Sequence, residues 1–139
     1  MSGNCAVDSN ACIALCRGDA GVASMLGSAD TVYLPTVVLG ELLYGAAATG
    51  LPEANCALML EFASKCELLE VNAEVAERYS ELKLELRQAG KPIPDNDLWI
   101  AALCLTAGMP LVSRDRHFAE LSALQVLSWE EPVRTVSTP

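Results

Sequence analysis

A chain of 139 residues is long enough for one domain that buries a hydrophobic core without disulfide or metal staples. Its 52% hydrophobic and 19% charged residues exclude a disordered chain, and its 5% aromatics disfavour an RNA reader that stacks bases on a sheet face. The net charge of −9 counts against a nucleic-acid substrate, whose phosphates are normally met by surplus Lys and Arg, although a divalent ion in an acidic pocket, or a basic partner protein, would reverse the field locally.

In chain order, Asn4 to Val7 is a short apolar strand ending at Asp8-Ser9-Asn10, small polar residues suited to capping a helix from Ala11 to Cys16. Gly18 closes that helix, Ala20 to Leu26 forms a second, and Thr31 to Leu34, stopped by Pro35, reads as a strand. Thr36 is the expected cap of a helix running through Glu41 to about Ala48, with Gly50 and Pro52 beyond it. Glu53 to Lys65 repeats apolar residues at helical spacing, and Leu68 to Val71 follows as a strand.

Asn72 is the expected cap of the amphipathic helix Ala73 to Gln88, with Val75, Tyr79, Leu82 and Leu86 on one face and Gly90 as its left-handed stop. Asp95 is the expected cap of a helix from Asn96 to Ala107 that is apolar nearly all round and must therefore be buried. Gly108 ends it, Pro110 to Ser113 reads as a strand, His117 to Leu121 as a short helical turn and Gln125 to Ser128 as the last strand. The domain is expected to span residues 1–131, with 132–139, bearing two prolines, as a frayed C-terminal tail.

Alternating short apolar strands and helices imply an α/β fold with a parallel sheet covered on both faces. The six cysteines, at 5, 12, 16, 56, 66 and 104, lack zinc-ligand spacing and read as reduced core residues. No basic leader with an apolar run and no stretch of about 18 apolar residues occurs, so the expectation is a cytoplasmic protein without a membrane segment.

In such sheets a ligand binds beyond the carboxyl ends of the strands, near the switch in strand order. Asp8 follows the first strand directly and Asp115 comes just after the fourth. Asp97 lies in the first turn of the buried helix, and Glu41 in the helix after the second strand, both elements starting on that same side. Taken singly, each acid has an ordinary explanation: Asp8 and Asp97 as cap or first-turn acids, Asp115 as a turn residue, Glu41 as a partner of Arg17 or Lys65. Together they suggest a shared site, because carboxylates emerging from apolar surroundings need compensation and a hard divalent ion, Mg²⁺ or Mn²⁺, supplies it. Such an ion polarises a scissile phosphate and makes hydroxide available near neutral pH.

Four blocks resemble the motifs of PIN-domain ribonucleases, and of VapC toxins in particular: Val7-Asp8-Ser9-Asn10; Gly40-Glu41-Leu42-Leu43-Tyr44-Gly45; Ile93-Pro94-Asp95-Asn96-Asp97-Leu98-Trp99-Ile100-Ala101-Ala102; and Leu111-Val112-Ser113-Arg114-Asp115-Arg116-His117-Phe118. The resemblance covers residues 4 to about 129, and the third block is the most specific. It implies a PIN-like α/β/α domain with about five parallel strands, and a Mg²⁺- or Mn²⁺-dependent endoribonuclease toxin. By the same resemblance Asp8 and Asp97 are the principal metal ligands, Glu41 a further acid of the site, Asp115 a fourth and more variable one, and Ser9, Asn10 and Ser113 flank the pocket. It also implies a homodimer and a cognate VapB-like antitoxin whose C-terminal segment lies over the site.

Arg114 and Arg116, flanking Asp115, are placed either to touch RNA phosphate or to offset local negative charge. His117, the sole histidine, is available as a general acid, but neighbouring Phe118 and the turn context favour a surface or packing role. Two rivals differ in class. A haloacid-dehalogenase-type phosphatase would want an acid two residues after Asp8, where Asn10 stands, and a catalytically silent PIN-like binding domain would be short of the acids present here.

Overall fold

The computed structural model describes residues 3–129; the expected tail at 132–139 lies outside them. Five strands, β1 (Asn4–Val7), β2 (Thr31–Pro35), β3 (Glu67–Leu69), β4 (Leu111–Val112) and β5 (Val126–Leu127), form one sheet in the order β3-β2-β1-β4-β5. Every neighbouring pair is parallel, with Ala6 opposite both Tyr33 and Leu111. Parallel pairing demands crossovers, and six helices supply most of them: α1 (Ser9–Cys16), α2 (Ala20–Gly27), α3 (Thr36–Ala47), α4 (Pro52–Ser64), α5 (Ala73–Gln88) and α6 (Asp95–Ala107). The expected α/β class with about five parallel strands is what the chain adopts. Among the described residues no helix is long and apolar enough to cross a membrane.

The centre of the sheet is the best-buried part of the molecule. Cys5, Ala6 and Val7 of β1 and Leu111 and Val112 of β4 have no exposed surface, and from Ile100 to Cys104 neither does α6. That all-round apolar helix is buried for the reason its sequence gave: polar faces are lacking, so water has nothing to solvate. Helix α5 covers one side of it with Val75, Leu82 and Leu86, and Tyr79 stacks on Trp99 with ring centroids 3.7 Å apart and planes 4° apart. Gly108 takes φ +69°, the left-handed turn that releases the chain into β4.

Some local expectations shift. Thr36 and Asp95 are not caps; each is the first residue of its helix, after Pro35 and Pro94, because a proline with extended ψ already sets the entry angle and needs no side-chain bond. Asp95 instead turns outward, accepting from Tyr79 Oη at 3.0 Å and from Lys83 Nζ at 3.0 Å. Strand β3 pairs with β2 from Glu67, earlier than expected, and Val71 is outside it. Of the six cysteines, Cys5, Cys12 and Cys104 are buried, Cys56 and Cys66 half-buried and Cys16 exposed, so the core reading holds for three. Burial pushes the Cys104 thiol up to about 12 and the Cys66 thiol up to about 11, which keeps both unreactive.

Candidate active site

Strand order reverses between β1 and β4, the two strands that continue into Asp8 and Ser113. Asp8 is the N-cap of α1, accepting from the Ser9 backbone N–H at 2.8 Å, so it is both cap and site residue. It is 4% exposed, and Ser113, 1% exposed, donates from Oγ to Asp8 Oδ2 at 2.6 Å. The same Ser113 Oγ accepts from the Asp115 N–H at 3.0 Å and lies 3.4 Å from Asn10 Nδ2, while Asn10 Oδ1 accepts from the Arg114 N–H at 3.3 Å. One serine and one asparagine thereby lock the β4 loop onto the start of α1.

The other acids connect to this pair. Ser9 Oγ lies 3.4 Å from Asp8 Oδ1 and 3.4 Å from Glu41 Oε1, joining α1 to α3. His117 Nδ1 lies 3.0 Å from Asp97 Oδ2 and 2.9 Å from Asp115 Oδ1, joining α6 to the 3-10 turn Arg116–Glu120. A continuous run of contacts therefore passes from Glu41 through Ser9, Asp8, Ser113, Asp115 and His117 to Asp97. The structure brings all four predicted acids together, with Ser9, Asn10 and Ser113 among them. Glu41 meets Ser9 in place of the Arg17 or Lys65 partner its sequence context offered.

Electrostatics record the crowding. Burial raises the Asp97 carboxyl to about 6, aided by the charges of Asp115 and Asp8 and opposed by His117. Burial likewise raises Asp8, where hydrogen bonds from Ser113 and Ser9 pull back, and Glu41, where Asp8 adds to the rise and a hydrogen bond from Asn96 opposes it. Positive charge from lysine does not reach the cluster: Lys65, Lys83 and Lys91 are paired with Glu61, Asp95 and Glu120 at 3.8, 3.0 and 3.6 Å. Mutually repelling carboxylates, Asp8 and Asp97 buried and Glu41 and Asp115 half-buried, fit a hard divalent cation, and one donor atom each from Asp97, Asp115 and His117 lie within 4.8 Å of one another.

The remaining residues divide. The Arg114 guanidinium lies 4.1 Å from the centre of the Trp129 ring and donates to the Trp129 carbonyl at 2.7 Å, so it braces the segment that follows β5. Arg116 is exposed beside the cluster. One residue was weighed too lightly in sequence and one was missed. His117, half-exposed as a surface role would have it, also belongs to the cluster; the signal was the Asp115-Arg116-His117 spacing, in which a capping Asp accepts from the His117 N–H at 2.9 Å and folds the ring back over itself. Asn96 lies close enough to Glu41 to pull its carboxyl back down, and its only sequence signal is its place beside Asp97 in the first turn of α6. Next to Glu41 and Ser9, a largely apolar groove of about 450 Å³ runs between α1, α3 and α4 past Ile13, Leu58 and Met59.

Comparison with known proteins bears on this geometry. The profile of the PIN domain family matches residues 5–124. Ribonuclease VapC2 of Haemophilus influenzae is 33% identical over 103 residues, spanning 73% of this chain and 78% of the relative. The tRNA(fMet)-specific endonuclease VapC of Shigella flexneri is 30% identical over 97 residues, spanning 69% and 74%. Among solved structures, that of VapBC2 from Rickettsia felis bound to a DNA fragment from their promoter superposes with a TM-score of 0.83 at 26% identity, over 91% of this chain and 99% of the matched one.

Proposed function

The chain belongs to the PIN domain family, and from that premise we propose that it is a metal-dependent endoribonuclease, the toxin of a VapBC-type toxin–antitoxin pair. The observation that carries this reading is the unbroken run of contacts joining Glu41, Asp8, Asp115 and Asp97 where the strand order reverses. Asp8 and Asp97 are the principal ligands of a Mg²⁺ or Mn²⁺ ion, with Glu41 and Asp115 completing its surroundings. When bound, that ion supplies Lewis-acid polarisation of the scissile phosphate and activation of the attacking water.

The chain's own residues do the rest. Ser113 and Ser9 hold the Asp8 carboxylate in one rotamer, so the site is preorganised before ion or substrate arrives. Asn96 steadies Glu41 at the rim. Charge neutralisation by the ion explains how a chain of net charge −9 handles a polyanion. The substrate is cytoplasmic RNA, in keeping with the ribonuclease names of its relatives.

The partners are a VapB-like antitoxin and a second copy of this chain. Support comes from α4, none of whose residues is buried, and from exposed Tyr44, Leu51, Leu58 and Leu60, which leave more apolar surface open than an isolated chain tolerates well. Cleavage of a mixed RNA pool tests the activity. The native chain should cut with Mg²⁺ or Mn²⁺ and stop with EDTA, and Asp8→Ala and Asp97→Ala should lose cutting by about a hundredfold or more. Variants that cut as fast as the native chain would point to contaminating nuclease and to a silent binding domain.

A further inference from the structure

Resting on that reading, we propose that His117 is itself a metal ligand through Nδ1, making the site a mixed nitrogen–oxygen centre that prefers Mn²⁺ to Mg²⁺. The geometry is the first argument. One donor atom each from Asp97, Asp115 and His117 lie within 4.8 Å of one another, and Nδ1 is 3.0 Å from Asp97 Oδ2 and 2.9 Å from Asp115 Oδ1. An octahedral ion with bonds of roughly 2.1 Å sets adjacent ligand atoms about 3.0 Å apart. The two contacts therefore have the length of two edges of such an octahedron meeting at the imidazole nitrogen.

The backbone explains why the ring is already there. Asp115 caps the 3-10 turn by accepting the His117 N–H at 2.9 Å, and the next residue, Phe118, is fully buried and anchors the turn. Little conformational freedom remains to be lost when Nδ1 binds an ion. The outer part of the ring belongs to a side chain that is 51% exposed, so Nε2 can carry the proton in contact with water. Tautomer and ligand atom are thus compatible.

Chemistry gives the preference. Carboxylate and water oxygens suit Mg²⁺ and Mn²⁺ alike, but an imidazole nitrogen favours the first-row transition ion, whereas Mg²⁺ gives up water reluctantly and gains little from nitrogen. The competing possibility is that Nδ1–H acts as a resident hydrogen-bond donor which any ion must displace. The two predict opposite effects of removing the ring.

The experiment measures Mn²⁺ and Mg²⁺ affinities of the native chain, His117→Ala and His117→Gln by calorimetry, with pulsed EPR of the Mn²⁺-bound native chain. Nitrogen modulation on the Mn²⁺ signal is expected in the native chain and absent from both variants. Mn²⁺ affinity should fall about tenfold or more in His117→Ala while Mg²⁺ affinity changes little. His117→Gln, with an oxygen donor, should retain Mg²⁺ binding without the Mn²⁺ preference. No nitrogen coupling with an unchanged Mn²⁺ to Mg²⁺ ratio, or tighter binding of both ions by His117→Ala, overturns the assignment while leaving the nuclease reading in place. A native chain that binds neither ion overturns both. Unfolding curves in EDTA establish that the variants are folded, as expected for a half-exposed side chain.

Discussion

Asp97→Asn should make the metal-free protein more stable at neutral pH while removing its function. The native carboxyl is 7% exposed and raised to about 6 by burial and by Asp115 and Asp8. Against an ordinary value of 3.8, ionisation of Asp97 in the folded state costs about 2–3 kcal/mol, at roughly 1.4 kcal/mol per unit. Asparagine keeps the shape and removes the charge. For a domain of this size the gain corresponds to roughly 5–10 °C in Tm. The sign with pH follows. A carboxyl whose folded pKa is raised binds more protons folded than unfolded, so native stability falls as pH rises from about 4 to about 6 and is lowest above that window. The gap between variant and native chain should therefore be full at pH 7.5 and shrink to about a third of that near pH 4.5, because the unfolded carboxyl is still mostly ionised there. Thermal unfolding by circular dichroism in EDTA at the two pH values measures it, and added Mn²⁺ should raise the native Tm but not the variant's. A variant no more stable than the native chain in EDTA at pH 7.5 would refute the claim that these acids are held together against their mutual repulsion.

Other perturbations isolate other parts of the structure. Divalent-ion affinity should rise with pH through about 6, with proton release on binding, which calorimetry in buffers of different ionisation enthalpy detects. Ser113→Ala removes the 2.6 Å bond to Asp8 and should lower metal affinity about 10- to 100-fold, read by titration while the circular dichroism spectrum stays native. Leu103→Ala, at a fully buried position of α6, should cost about 2–5 kcal/mol by denaturant unfolding, through the cavity it leaves. Arg114→Ala should cost about 1–2 kcal/mol by releasing Trp129, and if the guanidinium serves only this brace the salt dependence of RNA binding should keep its slope.

The legible part of the chain was the part dictated by local physics. Apolar periodicity located α5 and the all-round burial of α6, glycines at 90 and 108 marked two helix ends where the structure has positive φ, and short apolar runs alternating with helices marked the strands of a parallel sheet. Boundaries slipped where two signals compete. Pro35 and Pro94 start helices without a side-chain cap, so Thr36 and Asp95 look like caps and are not; edge strand β3 is set by pairing with β2, which its own residues do not encode.

By itself, then, the sequence determined the fold class, the buried helix and the side of the sheet to which Asp8, Glu41, Asp97 and Asp115 belong, because strand ends and first helical turns fix those positions within a few residues. Only the tertiary structure decided which groups touch. Ser113 meets Asp8 across 105 positions, His117 closes on Asp97 as well as on its neighbour Asp115, and Arg114 turns away to Trp129. Those choices depend on side-chain directions at the junction of β1, β4 and α6, and they are settled by packing between segments distant in sequence, where local propensity carries no information.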